Sequence, residues 1–174
     1  MSDAIFPIGN YEPKEFSEEL LRERMLDIRF LPNLLENTIQ HLDEFQLKET
    51  YREGGWTIKQ IVHHVADSHM NAFIRLKLGL TENNPTVKPY DQDDWATLPD
   101  SELPVNISTT LLYSLHLKWH ELMLHMKRED WDKTIFHPEY NITISLWDLL
   151  GKYAWHGKHH AAQIATLIEK RGWK

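Results

Sequence analysis

Along residues 17–42 the apolar side chains Leu21, Met25, Ile28, Leu31, Leu35, Ile39 and Leu42 follow one another at steps of three and four, which puts them on one helical face. Similar helical spacing returns three times. It involves Ile58, Ile61, Val62, Val65, Ala72 and Leu76 over about 57–80, and Leu111, Leu112, Leu115, Trp119, Leu122 and Met126 over about 108–127. The last stretch, about 145–171, carries Leu149, Tyr153, Ile164 and Leu167. Four amphipathic helices with no sustained strand alternation predict an all-α four-helix bundle. Local signals sharpen the ends. Gly54-Gly55 breaks the chain before Thr57-Ile58-Lys59-Gln60, a capping box, with Trp56 and Ile61 placed as a hydrophobic staple. Ser145-x-x-Asp148 opens the fourth helix in the same manner, and Gly172 ends it. Pro32 is expected to kink the first helix, because it removes a backbone donor and crowds the preceding turn.

Between the helices, residues 81–104 hold four prolines and the acidic cluster Asp91, Asp93 and Asp94, and read as a long loop. A short hairpin is expected around 136–144, with Pro138 in its turn. Residues 1–16, with Pro7, Gly9 and Pro13, read as an irregular arm. Residues 1–174 then make a single domain, which agrees with the length of 174 residues. The 41 % hydrophobic and 26 % charged residues exclude a disordered chain. A formal charge of −7 argues against nucleic acid and anionic membranes as partners. With no leader-like start and no apolar run of about 20 residues, a cytoplasmic protein is expected.

The chain has no cysteine but eleven histidines, so any transition metal must be held by imidazole and carboxylate. His156 and His160 lie one helical turn apart, with Cβ atoms about 5–6 Å from each other. They share the side of the apolar stripe, where other helices must pack. On the second helix a polar column, Gln60, His64, Asp67, Asn71 and Arg75, runs beside the apolar face at steps of four, three, four and four. The column reads either as a pocket wall or as a solvated face. As a pocket wall it would bring His64 to His156 and His160. Three imidazoles with open positions are the pattern of catalytic zinc. His63, His69 and His159 differ in helical phase by about 100° or more from the ligand beside them and are expected outside that set. Asp67 is the candidate for orienting a ligand or water, and Gln163 for donating to a bound group. His116, His120 and His125 read as structural or exposed. No HExxH, no paired Glu-x-x-His, no phosphate loop and no G-x-S-x-G elbow is present.

The segments YREGGWTIKQIVHHVADSHMNAFIRLKLGLTE and YAWHGKHHAAQI, with FPIGNYEP and VKPYDQDDW, closely resemble the YfiT-type metal-dependent hydrolases of the DinB superfamily. The likeness extends over nearly the whole chain. It implies a DinB bundle with one divalent metal, zinc or nickel, on the second His of HHVADSH and both His of HxxxH, which are His64, His156 and His160 here. It also implies a cytoplasmic homodimer acting on a small-molecule substrate. Related DinB proteins are thiol-dependent transferases or isomerases that use low-molecular-weight thiols such as bacillithiol or mycothiol. Hydrolysis of a small substrate is therefore the leading expectation, with thiol S-transfer at the same centre as the alternative. A non-catalytic metal-binding stress protein is the third reading, and it requires a closed shell with a fourth side chain from His69 or the acidic loop.

Overall fold

The computed structural model describes residues 5–173; residues 1–4 of the expected arm and Lys174 lie outside the described residues. In chain order the long helices are α1 (Glu18–Ile39), α2 (Ile58–Thr81), α4 (Val105–Leu124) and α5 (Leu146–Arg171), with a one-turn helix α3 (Gln92–Trp95) before α4. Strands β1 (Thr134–His137) and β2 (Ile142–Ser145) form an antiparallel hairpin before α5, Thr134 opposite Ser145 and His137 opposite Ile142. Asn141 takes a positive φ of 52° at its turn.

Each expected helix is present, and its ends follow the local chemistry. The Ser17 side chain accepts the Leu20 N–H at 3.1 Å and starts α1. At α2 the capping box is complete: Thr57 Oγ1 accepts the Gln60 N–H at 3.1 Å, and Gln60 Oε1 accepts the Thr57 N–H at 3.0 Å. Ser145 Oγ accepts the Asp148 N–H at 3.0 Å, and Gly172, at φ 65°, closes α5 in the left-handed conformation that glycine adopts without penalty. The third long helix begins at Val105, three residues earlier than expected, directly after Pro104. Proline fixes φ and needs no N–H partner at a helix start, so the break in the loop is also the beginning of the helix.

The stretch 81–104 is more ordered than its prolines suggest. The acidic cluster caps α3: Asp91 Oδ1 accepts the N–H groups of Asp93 and Asp94 at 2.9 and 3.0 Å. The segment is then fastened to α2 by two members of the polar column, Gln60 and Arg75, and by His63 outside it. Gln60 Nε2 donates to the Ala96 carbonyl at 3.0 Å, His63 Nε2 meets the Leu103 carbonyl at 2.9 Å, and Arg75 donates to the Lys88 carbonyl at 3.0 Å. The column is therefore a wall beneath a cover.

Helices α1 and α2 each pack against both α4 and α5, so chain neighbours α1 and α2 occupy opposite corners of the bundle. This arrangement makes α2 and α5 adjacent, which the site requires. The apolar interior is divided in two. One cluster holds Met25, Ile28, Ala72, Leu76, Trp119, Met123, Leu149 and Tyr153 among others; the second holds Leu31, Leu35, Val62, Val65, Leu112, Ile164 and Leu167. On α2, α4 and α5 the residues between these clusters are histidines: His69, His116, and His156 with His160. On α1 the boundary falls between Ile28 and Leu31, one residue before Pro32.

One continuous helix runs through Pro32. Proline cannot donate to the carbonyl four residues earlier, which leaves the Ile28 carbonyl without its intrahelical partner. His116 Nδ1 supplies the missing hydrogen bond from α4, on a fully buried ring. Replacing His116 by Leu should therefore cost about 1–3 kcal/mol in urea unfolding, because a buried acceptor is left unpaired. Adding Pro32→Ala restores an N–H at the right position and should recover part of that loss. Strictly additive costs for the two substitutions would show that the His116 contact does not serve this carbonyl.

Candidate metal centre

Adjacent packing of α2 and α5 brings three imidazoles together where the two apolar clusters part. His64 Nε2 lies 3.3 Å from His156 Nε2, and His160 Nε2 lies 3.2 Å from the same atom. His156 Nε2 can carry at most one hydrogen, so it cannot donate to both neighbours. The outer nitrogens indicate that it carries none. His160 Nδ1 faces Gln163 Oε1 at 2.9 Å, an acceptor that calls for the proton on Nδ1 and leaves a lone pair on Nε2. His156 Nδ1 is 3.3 Å from His69 Nε2, so His69 can hold the same tautomer on His156. The arrangement directs imidazole lone pairs at one point.

That geometry fits one divalent cation. Nitrogens held tetrahedrally at 2.0–2.1 Å from zinc stand about 3.3–3.4 Å apart, close to the spacings observed. Among the described residues, His64, His156 and His160 are the only group of three or more potential ligands so placed. Burial pushes the His64 pKa down to about 4, and burial followed by the neighbouring imidazoles pushes His156 and His160 well below the ordinary histidine range. The rings are thus neutral at neutral pH, the form a metal requires.

The other expected residues are placed as follows. His63 uses both ring nitrogens elsewhere, Nδ1 on Ser108 Oγ at 2.7 Å and Nε2 on the Leu103 carbonyl. His159 turns away to stack on Trp155, with ring centroids 4.5 Å apart. Gln163 does not offer a donor to a bound group. Its Nε2 donates to the Ile5 carbonyl at 3.0 Å while its oxygen holds His160. Asp67 is half-buried and lines neither cavity described below; burial, then Asp100, raises its pKa to about 6. His69 is the residue sequence reasoning undervalued. It is fully buried, backs His156, and stacks on His116 with centroids 4.9 Å apart. The signal was available, since position 69 fills the gap between Val65 and Ala72 in the apolar stripe of α2.

Two cavities meet at the triad. One, of about 320 Å³, reaches His156 past Arg75, Tyr90 and Tyr153; the other, of about 580 Å³, exposes His64, His156 and His160 between Trp56, Arg52 and the N-terminal arm. Gln92 and Asp93 of α3 border both. Trp56 lies beside His64 at 4.5 Å between centroids and donates from Nε1 to Asp93 at 3.1 Å, which ties the cover to the centre.

The buried histidines bind protons more weakly in the folded chain than in the unfolded one. Their stabilising contribution is present above the unfolded histidine pKa near 6.5 and is lost as pH falls toward 4, the value for His64 and His116. Asp67, raised to about 6, and Asp27, also raised by burial, act in the opposite sense over part of that range, but they are two groups against several. In the presence of a chelator, the Tm should be roughly 5–10 °C lower at pH 5 than at pH 7. An unchanged Tm would show that the rings are not buried neutral.

Comparison with known proteins places this geometry in a wider group. A Bacillus cereus protein provisionally named a metal-dependent hydrolase is 48 % identical over 174 residues, covering 99 % of this chain and 100 % of its own. A Bacillus thuringiensis protein with the same provisional name matches equally well. Among solved structures, YfiT from Bacillus subtilis superimposes with a TM-score of 0.97 at 37 % identity, over 99 % of both chains. It is provisionally described as a metal-dependent hydrolase with an unusual four-helix bundle topology. A mycothiol-dependent maleylpyruvate isomerase shares the fold at a TM-score of 0.66 and 18 % identity, over 83 % of this chain and 60 % of its own. The DinB superfamily model matches residues 28–164, and with these relatives it establishes that the chain belongs to the DinB superfamily.

Proposed function

We propose that this protein is a metal-dependent hydrolase of a small molecule, with one divalent ion, zinc or nickel, held by Nε2 of His64, His156 and His160. The observation that carries this reading is the convergence of three neutral imidazoles beside open cavities, Nε2 of His64 and of His160 each 3.2–3.3 Å from Nε2 of His156. A metal bound there supplies Lewis acidity and makes a bound water easier to deprotonate. The protein's own part is to aim and shelter the ligands. Gln163 and His69 hold the tautomers of His160 and His156, and Trp56 covers His64. Asp67, the proposed group for orienting water, has its pKa raised to about 6 by burial and by Asp100. It lines neither cavity at the triad, and its tie toward the site is the electrostatic influence of its carboxylate on Tyr90.

A purely metal-storing role is less well supported. It needs a fourth protein ligand, and His69 Nε2 faces His156 Nδ1 rather than the convergence point. Asp91 and Asp93 are engaged with the α3 backbone and with Trp56. The second enzymatic reading, S-transfer from a low-molecular-weight thiol such as bacillithiol, draws support from the two cavities, which give room for two reactants at one centre.

Metal content after single substitutions tests the centre. His64→Ala, His156→Ala and His160→Ala should each lose the metal, while His63→Ala, His159→Ala and Asp67→Asn retain it. His69→Leu should weaken binding by roughly 10–100-fold. Loss in His159→Ala with retention in His160→Ala would overturn the assignment. For the reaction, ester and amide substrates are assayed beside electrophiles with and without added thiol; turnover that occurs only with thiol would replace hydrolysis by S-transfer.

We also propose a homodimer. Leu26, Phe30 and Leu34 repeat at every fourth position along α1 and are 52, 54 and 42 % exposed, an apolar row suited to a helix seam. Sedimentation at micromolar concentration should give a dimer, and Phe30→Glu should shift it to monomer.

A further inference from the structure

The smaller cavity has a charge pattern that the triad does not explain. Arg75 is 8 % exposed, and among the described residues no carboxylate lies within salt-bridge distance of it. Its guanidinium donates to the Lys88 carbonyl at 3.0 Å and to the Tyr153 hydroxyl at 3.4 Å, which uses two of five N–H groups. Lys152 borders the same cavity from α5, one turn before His156, and among the described residues it too has no acid partner. His137 enters from β1 with its ring stacked on Tyr140 at 4.6 Å, and its buried Nδ1 has no hydrogen-bond partner. Three basic side chains from three elements thus face one space of about 320 Å³.

The acids at the rim do not neutralise this group. Asp91 caps α3, Asp93 accepts from Trp56, and Glu139 acts on His137 without reaching Arg75 or Lys152. The cations also disfavour one another. Burial and then Arg75 push the Lys152 pKa down, and burial, Arg75 and Lys152 push that of His137 down. A nearly buried guanidinium without a counter-ion costs free energy unless an anion arrives to pair with it.

We propose that this cavity binds the oxyanion end of a small substrate, a carboxylate or phosphate, on Arg75 and Lys152, with His137 as an additional donor. Because His156 forms the inner wall, a molecule anchored there would present its other end to the triad. That second clause rests on the metal-centre reading; the anion site itself does not. The substrate class is then a compact anionic molecule whose reacting bond lies a few atoms from its charged group. Tyr90 and Tyr153 flank that intervening portion.

Titration of the full chain with inorganic phosphate and, separately, malonate tests the proposal, read by NMR shift perturbation in chelator-treated and metal-loaded protein. Saturable binding in the millimolar range is expected without metal. It should weaken about tenfold or more in Lys152→Met and in Arg75→Lys, and remain unchanged in Lys158→Met, whose ammonium pairs with Asp27 outside this cavity. Lys152 is exposed enough for its variant to fold, which keeps the test valid should Arg75→Lys prove unstable. A preference between the two anions identifies the oxyanion. Binding that requires metal and ignores both variants would place the anion on the metal and overturn this inference while leaving the centre intact. Anion binding that depends on Lys152 in a protein unable to take metal would retain the cavity assignment and overturn the centre. No saturable binding in either form would overturn the cavity assignment outright.

Discussion

Three uncharged imidazoles with their lone pairs directed at one point inside a helical bundle form the constraint on which the rest depends. Left alone, such an arrangement is unfavourable, since the nitrogens repel and none can satisfy two neighbours with one proton. It persists because the surrounding structure holds it from several sides. Gln163 fixes His160 and His69 backs His156. Hydrophobic clusters on both sides clamp the helices that carry the rings. A close-packed interior resists the small rotations that would relieve the repulsion.

The same constraint accounts for the division of the core. A bundle of this length could bury one unbroken apolar stripe. Instead three of the long helices interrupt their stripes at one level, His69 on α2, His116 on α4, and His156 with His160 on α5, while the stripe of α1 runs on unbroken past that level. One interruption answers a need of α1. Pro32 frees a carbonyl, and His116 takes it. The polar layer is thus only partly self-satisfied: His116 Nε2 and His69 Nδ1 remain unpaired on fully buried rings beside the triad. Buried polar networks are tolerated on these terms, because each satisfied member removes a desolvation cost that an orphan would keep.

Covering the site required an element with little periodicity of its own. The segment between α2 and α4 has few core residues, yet it is fastened at Ala96, Leu103, Lys88 and Asp93 by side chains of α2 and by Trp56. These bonds convert a polar helix face into a wall and set Gln92 and Asp93 on the border of both cavities. Arg75 illustrates the result. On an open helix it would be an ordinary surface cation, whereas beneath this cover it is a nearly buried one without an acid.

Much of this was legible in the chain. The four helices follow from steps of three and four in apolar positions, and the starts of α2 and α5 from Thr57 and Ser145, because capping chemistry is local. The pairing of His156 with His160 follows from helical geometry alone. The DinB-type motifs singled out His64 as the third member. What the sequence could not state was anything that depends on which helices are neighbours. The diagonal placement of α1 and α2, the bond from His116 to the Ile28 carbonyl, the use of Gln163 as a positioning group, and the gathering of Arg75, Lys152 and His137 all involve partners tens of residues apart or more, or rings whose second nitrogen is aimed by packing. Periodicity reports which face of a helix is buried; only the folded structure decides what that face meets.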